Sequence, residues 1–419
     1  MSGQLDPELL VGIDWATEKH DVCLLAPGGV VLGEKTFRND GAGLAEMADW
    51  IADHLAGPPE AAHVAIEVPH GPVVETLLER RFHVFTLNPK QLDRFRDRFT
   101  VAGAKDDRRD ARVLADSLRT DRKAFRCLEV DAPAVLELRE WSRMADDLQQ
   151  DRNRMTNRLR EQLRRYYPQA LQVGTDPGAD WFLSLVEAVP TPAAAREADP
   201  REVGRLLKQH RIRRITAAQA LDLLRQKPVC VAPGTAEAAL AHIGQLTVRL
   251  RLVNAQLREA HKKLDQICRH LQAEDPGNAE VEGRAGGQRD IEILRSLPGV
   301  GRIVLATLLA EGARPLRDRD YHAARSLSGV APVTRRSGKR VVVVMRQACQ
   351  VRLRRAMYHW GRVAAQRDPL WKERYAALRA RGHSHGRACR GIADRLLAVA
   401  IAMLRDGTLY DGARLRKSA

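Results

Sequence analysis

Short apolar runs and helical segments alternate along the first third of the sequence in an order that few folds can accommodate. Three strand-like runs come first, with the turn Pro27-Gly28-Gly29 between the second and the third. The segments that we interpret as strands are residues 9–14, 20–26, 30–37, 64–66 and 84–87, and the helical segments are 43–55, 73–81 and a third from residue 89. The order βββαβαβα predicts a ribonuclease-H-like mixed sheet whose first strand lies centrally beside the fourth.

Four acidic residues stand at positions that this fold would bring together. Asp14 ends the first strand, Glu67 ends the fourth, and Asp107 and Asp110 are three residues apart, which places both on one face of a helix. Carboxylates that repel one another in one pocket need cations, and hard oxygen ligands suit Mg²⁺ or Mn²⁺. Two such ions can stabilise the attacking and the leaving oxygen of a phosphoryl transfer, so we expect a magnesium site. Taken singly, each acid could instead be a turn, cap or surface residue, and Asp106 could replace Asp107 as a ligand.

Two long helices follow, and the second has the clearest periodicity in the chain. Its apolar residues step alternately by three and four, which is the a/d seam of a coiled coil: Ile243, Leu246, Leu250, Val253, Leu257, Ala260, Leu264, Ile267 and Leu271. The first long helix, residues 138–166, keeps this spacing less well because Arg152 and Gln162 fall on its seam. It could therefore pair with the second helix or with another subunit. A helical insertion of unknown role, at about residues 174–232, separates the two helices.

The last part of the chain is dense in arginine and mainly helical, with one strand-like interruption at residues 341–345. It follows the glycine-rich residues 283–287 and opens with LRSLPGVGRIVLATLL. The turn PGVG between two apolar segments is typical of a helix-hairpin-helix element, in which glycines let backbone N–H groups approach a phosphate. We therefore predict a chain that is α/β plus all-α, with domains at residues 1–128, 129–282 and 288–419.

The balance of charge favours a polyanionic partner. The chain has 69 basic and 53 acidic residues, a formal net charge of +16, which fits nucleic acid or an anionic membrane. No apolar run approaches the ~20 residues needed to span a bilayer, and the first residues do not resemble a leader, so we expect a cytoplasmic, nucleoid-associated protein without a membrane partner. The six cysteines form no CxxC pair, which is typical of reduced, packed thiols. Because aromatic residues make up only 5%, we expect arginine contacts to phosphates rather than base stacking.

Segments at both ends of the chain resemble a known family. They are VGIDWATEKHDVCLL, IEVPHGPVVETLLE, FTLNPKQLDRFRD and AKDDRRDARVLADSL in the first part, and LRSLPGVGRIVLATLLAEG, LSGVAPVTRRSGKR and RACRGIADRLLAVAIAMLRDG in the last. The chain resembles the DEDD transposases of the insertion-sequence one-ten group, the bridge-RNA-guided recombinases, over nearly its whole length. The resemblance implies a RuvC-like domain, a coiled coil and a C-terminal transposase domain, in that order.

The resemblance also implies roles for particular residues. The family's four acids fall on Asp14, Glu67, Asp107 and Asp110, and its catalytic serine falls on Ser337. In such proteins the serine attacks DNA and forms a phosphoserine link, in a composite site shared with the acids of another subunit. The resemblance thus implies double-stranded DNA, a structured non-coding guide RNA, and a homodimer or homotetramer. Basic residues beside these positions are expected to contact nucleic acid: Lys105, Arg108, Arg335, Arg336, Lys339, Arg340, Arg352 and Arg355.

Two other functions remain open from the residues alone. A RuvC-like junction resolvase or nuclease would use the same acids with water as the nucleophile and would not need Ser337. A non-catalytic nucleic-acid-binding protein would use the acids only structurally.

The chain departs from the family pattern next to its third acid. Lys105-Asp106-Asp107 stands where the family often has Lys-Thr-Asp, which leaves the choice between Asp106 and Asp107 open.

Overall fold

A computed structural model of the chain describes residues 6–87, 89–96, 107–129, 131–274, 290–338 and 340–413. The chain divides into two compact units, Met1–Asp131 and Ala132–Ala419. Each unit has hydrophobic cores of its own. The three-domain division that the sequence suggests, with a boundary near residues 282–288, remains a prediction.

The first unit is built on a mixed sheet of six strands in the order β3-β2-β1-β4-β5-β6. The strands are β1 Leu9–Trp15, β2 Lys19–Leu25, β3 Val31–Arg38, β4 Ala62–Ile66, β5 His83–Thr86 and β6 Arg126–Cys127. The first three strands are antiparallel neighbours, whereas β1, β4 and β5 run parallel. The predicted mixed sheet, with its first strand beside the fourth, is therefore confirmed. The two-residue strand β6 was not predicted, because it is too short to show an apolar pattern.

Helices cover both faces of this sheet, and the alternation of side chains along β1 separates the two layers. The helices are α1 Gly41–Ala52, α2 Pro72–Glu79, α3 Pro89–Arg96 and α4 Asp107–Asp121. Val11 and Ile13 share a core with α1 and α2, whereas Leu10 shares a second core with Leu114 and Leu118 of α4. The even-numbered residues of β1 therefore face α4.

Helix α4 lies unusually close to β1, and Gly12 makes this approach possible. A Cβ atom placed on Gly12 would lie 1.9 Å from the carbonyl oxygen of Ala111 and 2.6 Å from the amide nitrogen of Ala115. Both atoms belong to the backbone, so no side-chain rotation could relieve the clash. Only glycine at residue 12 lets the first turns of α4 rest directly on the strand.

A buried histidine pair links β4 to β5. His63 has no exposed surface, its Nε2 atom lies 3.3 Å from Nδ1 of His83, and its own Nδ1 has no hydrogen-bond partner. Burial, together with the positive charge of Arg122 and the neighbouring His83, lowers the pKa of His63 to about 4. The imidazole is therefore neutral in the folded protein at physiological pH.

The second unit is organised around two long helices, α5 Pro133–Tyr166 and α11 Thr235–Glu274, which pack along each other. Eight of the nine predicted seam residues of α11 are buried, and Leu271 is half-buried. Leu138 of α5 shares a core with the last half of α11, whereas Leu159 shares a core with the first half, so the two helices are antiparallel. The sequence left two partners open for α5, and the structure places it against α11 of the same chain. The supercoiling of this pair remains a prediction.

A polar pair interrupts the apolar seam between these two helices. Arg152, which falls on the seam of α5, donates from Nε to Oδ1 of Asn254 at 2.8 Å and forms an ion pair with Asp176 at 2.6 Å. Asn254 in turn donates to the carbonyl of Gly178 and to the carboxylate of Asp180, both in the insertion. This network therefore attaches the insertion to the middle of the helix pair.

The insertion folds as short helices against one end of the pair. They are α6 Ala170–Val173, α7 Asp180–Ala188, α8 Pro192–Glu197, α9 Pro200–Gln209 and α10 Ala217–Leu224. The sequence predicts helices at residues 181–189, 200–210 and 217–226, and α7, α9 and α10 agree with them to within two residues at each end. Their apolar faces share one core with the C-terminal half of α5 and the N-terminal half of α11.

The remaining residues form a helical bundle with one β-hairpin. Its elements are α12 Asp290–Ser296, α13 Arg302–Glu311, α14 Ala313–Arg317, α15 Tyr321–Leu327, β7 Val333–Ser337, β8 Arg340–Val344, α16 Val351–Arg367, α17 Pro369–Ala380 and α18 His385–Asp406. Gly299, between α12 and α13, has a φ of +84° and lies where an added Cβ would be 2.8 Å from the amide nitrogen of Ala364. This glycine therefore serves packing against α16, and its contact with a phosphate remains a prediction. None of the helices in the described ranges has the length and apolar character required to cross a bilayer.

Substitution of Gly12 tests the close approach of α4. We expect Gly12→Ala to destabilise the first unit by about 1 to 3 kcal/mol, because the backbone of α4 must move away from β1. Urea denaturation of the full chain measures the change. Gly41→Ala is the matched control, because nothing lies within 4 Å of a Cβ at Gly41. It should leave stability unchanged or raise it by up to about 1 kcal/mol, and an equal loss in both variants would contradict the packing argument.

The buried imidazole of His63 predicts acid sensitivity of the first unit. Its pKa of about 4 lies below the ordinary histidine value of 6.5, so the unfolded chain binds the proton more readily. The contribution of His63 to the free energy of unfolding is therefore fully present above pH 6.5. It falls by about 3 kcal/mol in total as the pH decreases through 4. Urea midpoints at several pH values measure this loss. His63→Gln should flatten the profile, whereas the same change at the exposed His54 should not.

Candidate functional site

Two of the predicted acids end neighbouring strands at the same edge of the sheet. Ile13 of β1 pairs with Ile66 of β4, and Asp14 and Glu67 are the next residues along these parallel strands. Both side chains are half-buried. Alternation along each strand puts Asp14 on the face of Gly12 and Glu67 on the face of Ala65, which is the face covered by α4.

Helix α4 brings a third acid to this edge. Asp110 is only 6% exposed and precedes Ala111, the residue whose carbonyl lies against Gly12. Asp107 is the first residue of α4, but its side chain lies outside the described residues, as do Asp106 and Lys105. Arg108 is exposed in the first turn of the helix. The described side chains contain no group of three or more His, Cys, Asp or Glu residues arranged to hold a metal ion.

The donor chemistry at this edge nevertheless fits a hard cation. Asp14, Glu67 and Asp110 offer only carboxylate oxygens, which Mg²⁺ and Mn²⁺ prefer over the nitrogen and sulfur ligands of zinc. The three described acids come from the ends of β1 and β4 and from α4.

A fifth acid, Asp21, stands beside this group and was not predicted as a site residue. Asp21 of β2 is the cross-strand partner of Asp14, and only 3% of it is exposed. Its Oδ1 accepts a hydrogen bond of 2.5 Å from the hydroxyl of Thr36, and its Oδ2 lies 3.4 Å from Nζ of Lys19. Directly opposed like charges destabilise a sheet, so these two contacts are needed to hold Asp21 next to Asp14. Its place opposite Asp14 follows from the register of β1 and β2, which no local sequence pattern encodes.

The predicted serine lies in the second unit, at the tip of the hairpin β7–β8. Ser337 is the last residue of β7, it is exposed, and it pairs with Arg340, the first residue of β8. Gly338 follows with a φ of +54°, a left-handed conformation that favours glycine in a tight hairpin turn. Lys339 lies outside the described residues.

Pairing along the hairpin divides its arginines between two faces. Ser337 pairs with Arg340 and Arg335 pairs with Val342, so these residues share one face. Arg336 pairs with Val341 and therefore lies on the opposite face. That opposite face also carries Val343, and both of these valines are 56% exposed.

The two predicted nucleic-acid contacts on α16 are tied to α5. Arg352 donates to Asp146 at 2.6 Å and to Asp147 at 3.0 Å, and Arg355 donates to Asp146 at 3.3 Å. The side chain of Arg352 is 28% exposed and that of Arg355 is 50% exposed. In this arrangement Arg352 joins two helices of the unit, and a contact of either arginine with nucleic acid remains a prediction.

Comparisons with known proteins match both ends of the chain. A family model described as a transposase matches residues 11–168, and the model of the transposase IS116/IS110/IS902 family matches residues 291–376. A mini-circle protein of Streptomyces coelicolor, named as a transposase for IS117, is 33% identical over 402 residues, which are 92% of this chain and 91% of that protein. An uncharacterised 43.6 kDa protein of the insertion element IS110, from the same organism, is 30% identical over 74% of this chain and 72% of its own length.

A shorter match is closer in sequence. The y4uE protein of Sinorhizobium fredii, also named as a transposase, is 57% identical over 207 residues, and the matched part is 49% of this chain and 58% of that protein. Taken together with the family models at both ends and the near full-length IS117 relative, these matches establish the family and a DNA-acting enzyme. The chain belongs to the IS110 family of DEDD transposases.

Proposed function

We propose that this transposase cleaves and exchanges DNA strands with two groups of residues, the acids Asp14, Glu67, Asp107 and Asp110 and the nucleophile Ser337. The observation that carries the proposal is the common edge at which β1, β4 and α4 present Asp14, Glu67 and the buried Asp110. Carboxylates brought to one edge of a sheet repel one another, and a bound cation would relieve that repulsion.

The acids are proposed to act as ligands of divalent cations. DEDD transposases typically use such ions, and Mg²⁺, or Mn²⁺ in its place, suits the oxygen donors of this edge. The bound cations would supply positive charge for the oxygens of the reacting phosphate. The protein's own contribution is positional, because the contact at Gly12 fixes α4, and with it Asp110, against the strand that carries Asp14.

Ser337 is proposed to attack the scissile phosphate. A bond forms between its Oγ and phosphorus, the bond to the leaving DNA oxygen breaks, the hydroxyl proton passes to water, and the leaving oxygen takes up a proton. Three observations support this role: the family match of the surrounding segment, the exposure of the hydroxyl at a hairpin tip, and the two guanidinium groups of Arg335 and Arg340 on the same face. Those groups could bind the phosphate oxygens.

The partners are proposed from the family to which the chain belongs. They are donor and target double-stranded DNA, a structured non-coding RNA that selects the sites, and one or three further copies of the chain. The antiparallel packing of α5 on α11 buries the predicted seam within one chain, so an oligomer would have to use other faces of these helices. A discrete RNA that copurifies with the protein would support the guided mechanism.

Removal of one hydroxyl tests the serine mechanism. We expect wild-type protein to yield DNA that stays covalently attached after denaturation, and Ser337→Ala to abolish both this product and strand exchange. Denaturing gels with end-labelled DNA measure the protein-attached DNA and the exchanged strands. Thr334→Val is the matched control, because it removes a hydroxyl from the same strand on the opposite face of the hairpin. Asp14→Asn should abolish attachment as well, through the metal site.

The same experiment distinguishes the serine mechanism from that of a nuclease. A nuclease that uses water as the nucleophile would release free DNA ends, and Ser337→Ala would leave its cleavage intact while Asp14→Asn removed it. Cleavage that survived both substitutions would exclude a role for these residues in the reaction.

The two faces of the hairpin predict unequal effects of its arginines. We expect Arg335→Gln and Arg340→Gln to slow cleavage at saturating DNA by about tenfold or more, since a charge-assisted bond to a transferring phosphate contributes several kcal/mol. Arg336→Gln removes the same charge from the opposite face and should change the affinity for DNA but not the saturated rate. Single-turnover rates measure the difference, and equal losses in all three variants would contradict this assignment.

A further inference from the structure

The last two helices of the chain form an antiparallel hairpin that the mechanism above does not use. Helices α17 and α18 pack against each other, and Cδ1 of Leu378 lies 3.6 Å from the position of a Cβ at Gly391. The side chain of Leu378 therefore rests on α18 at a glycine. This contact fixes which residues of the two helices lie next to the line where they meet.

Three arginines border this contact. Arg374 is four residues before Leu378 on α17, and Arg381, the C-cap residue of that helix, is three residues after it, so both lie on the side of Leu378. Arg395 is four residues after Gly391 on α18, and the antiparallel arrangement brings it opposite Arg374. All three arginines are exposed. Together they define the arginine seam, consisting of Arg374, Arg381 and Arg395.

Within the described part of the chain, no carboxylate forms an ion pair with any residue of the arginine seam. The nearest acid along α18, Asp394, is already occupied, because it accepts hydrogen bonds from Tyr321 at 2.8 Å and from Arg325 at 2.6 Å. Glu373 adjoins Arg374 in sequence, but neighbouring residues on a helix do not face each other. Many other arginines of this unit are paired, such as Arg319 with Asp290 at 2.7 Å.

The electrostatics of the arginine seam show that its charges interact. Partial desolvation by neighbouring atoms, and after it the positive charges of Arg395 and Arg381, lower the pKa of the Arg374 guanidinium. A guanidinium stays charged at every accessible pH, so repulsion within the arginine seam persists in the free protein. A ligand with several negative charges would relieve it, whereas a single carboxylate would neutralise only one of the three.

We propose that the arginine seam of α17 and α18 is a binding site for the phosphodiester backbone of a nucleic acid, separate from the hairpin that carries Ser337. Arg374 and Arg381 are seven residues apart, which is about 10 Å along a helix. That distance matches roughly three base-pair steps of a duplex, so adjacent groups of the arginine seam would meet different phosphates. Arginine is the side chain best suited to such contacts, because its planar fork binds phosphate oxygens in pairs.

The salt dependence of binding tests this site. Each phosphate contact contributes about 0.9 to the slope of log affinity against log salt, so Arg374→Gln/Arg395→Gln should lower the slope by about two and weaken binding by roughly tenfold. Fluorescence anisotropy with the full chain measures both, using a labelled duplex DNA and a labelled RNA hairpin as separate probes. A change with DNA only, with RNA only or with both identifies which backbone occupies the arginine seam, and each result supports the site.

A matched double variant controls for net charge. Arg314→Gln/Arg317→Gln also removes two positive charges from the second unit, but each of these arginines lies within 4 Å of Asp318. We expect this variant to change the slope of log affinity against log salt by less than about 0.5, which corresponds to half a phosphate contact. If both double variants lowered the slope equally on both probes, the effect would be one of overall charge and the proposal would be wrong.

The stability of the free protein provides a second readout. Because the charges of the arginine seam repel one another, Arg374→Gln/Arg395→Gln should leave the melting temperature unchanged or raise it while nucleic-acid binding falls. A structural role would change both quantities in the same direction. Unchanged salt slopes on both probes would overturn the proposal, whatever the melting temperature does.

Discussion

The direct contact between helix α4 and strand β1 determines the arrangement of the candidate acids. At Gly12 the strand lacks a side chain, so the carbonyl of Ala111 occupies the space that a Cβ would need. The neighbouring residue of α4, Asp110, is thereby buried at the edge where Asp14 and Glu67 end their strands. Because no side chain separates α4 from β1 at this point, the helix rests directly on the strand that carries Asp14. Because residue 12 lacks a Cβ, the packing of α4 on β1 also determines where Asp110 lies along the sheet edge.

Much of this unit could be predicted from the sequence because its signals are local. The order of apolar runs, the turn residues between them and an acid at the end of each of two strands led to the observed sheet and to the adjacency of Asp14 and Glu67. Asp21 could not be recognised in this way, since its importance comes from a cross-strand register that only pairing fixes. Its hydrogen bond to Thr36 joins residues of two different strands, and no local pattern encodes such a contact.

The second unit shows a different limit of sequence patterns. The heptads of α11 predicted a buried seam correctly, but a heptad does not specify its partner, and the structure supplies α5 of the same chain. Arg152, which looked like a flaw in the seam of α5, meets Asn254 there and fixes the register of the pair. The strand β7 was not predicted, because its last four residues are polar and exposed. Without that strand, the separation of Arg336 from Arg335 and Arg340 could not be inferred.

The partners of charged residues are the feature hardest to predict from a sequence, because the partner of a cation can lie far away along the chain. Between Asp320 and Asp368 there are ten arginines, one lysine and no acid, so every one of these cations would be assigned to a polyanion from sequence alone. The fold brings Asp146, more than 200 residues earlier, to Arg352 and neutralises it. The arginine seam is the opposite case, since Asp394 adjoins Arg395 in the sequence and the fold gives this acid other partners. The net charge of +16 therefore indicates a polyanionic partner, whereas the pattern of ion pairs indicates which surfaces remain for it to bind.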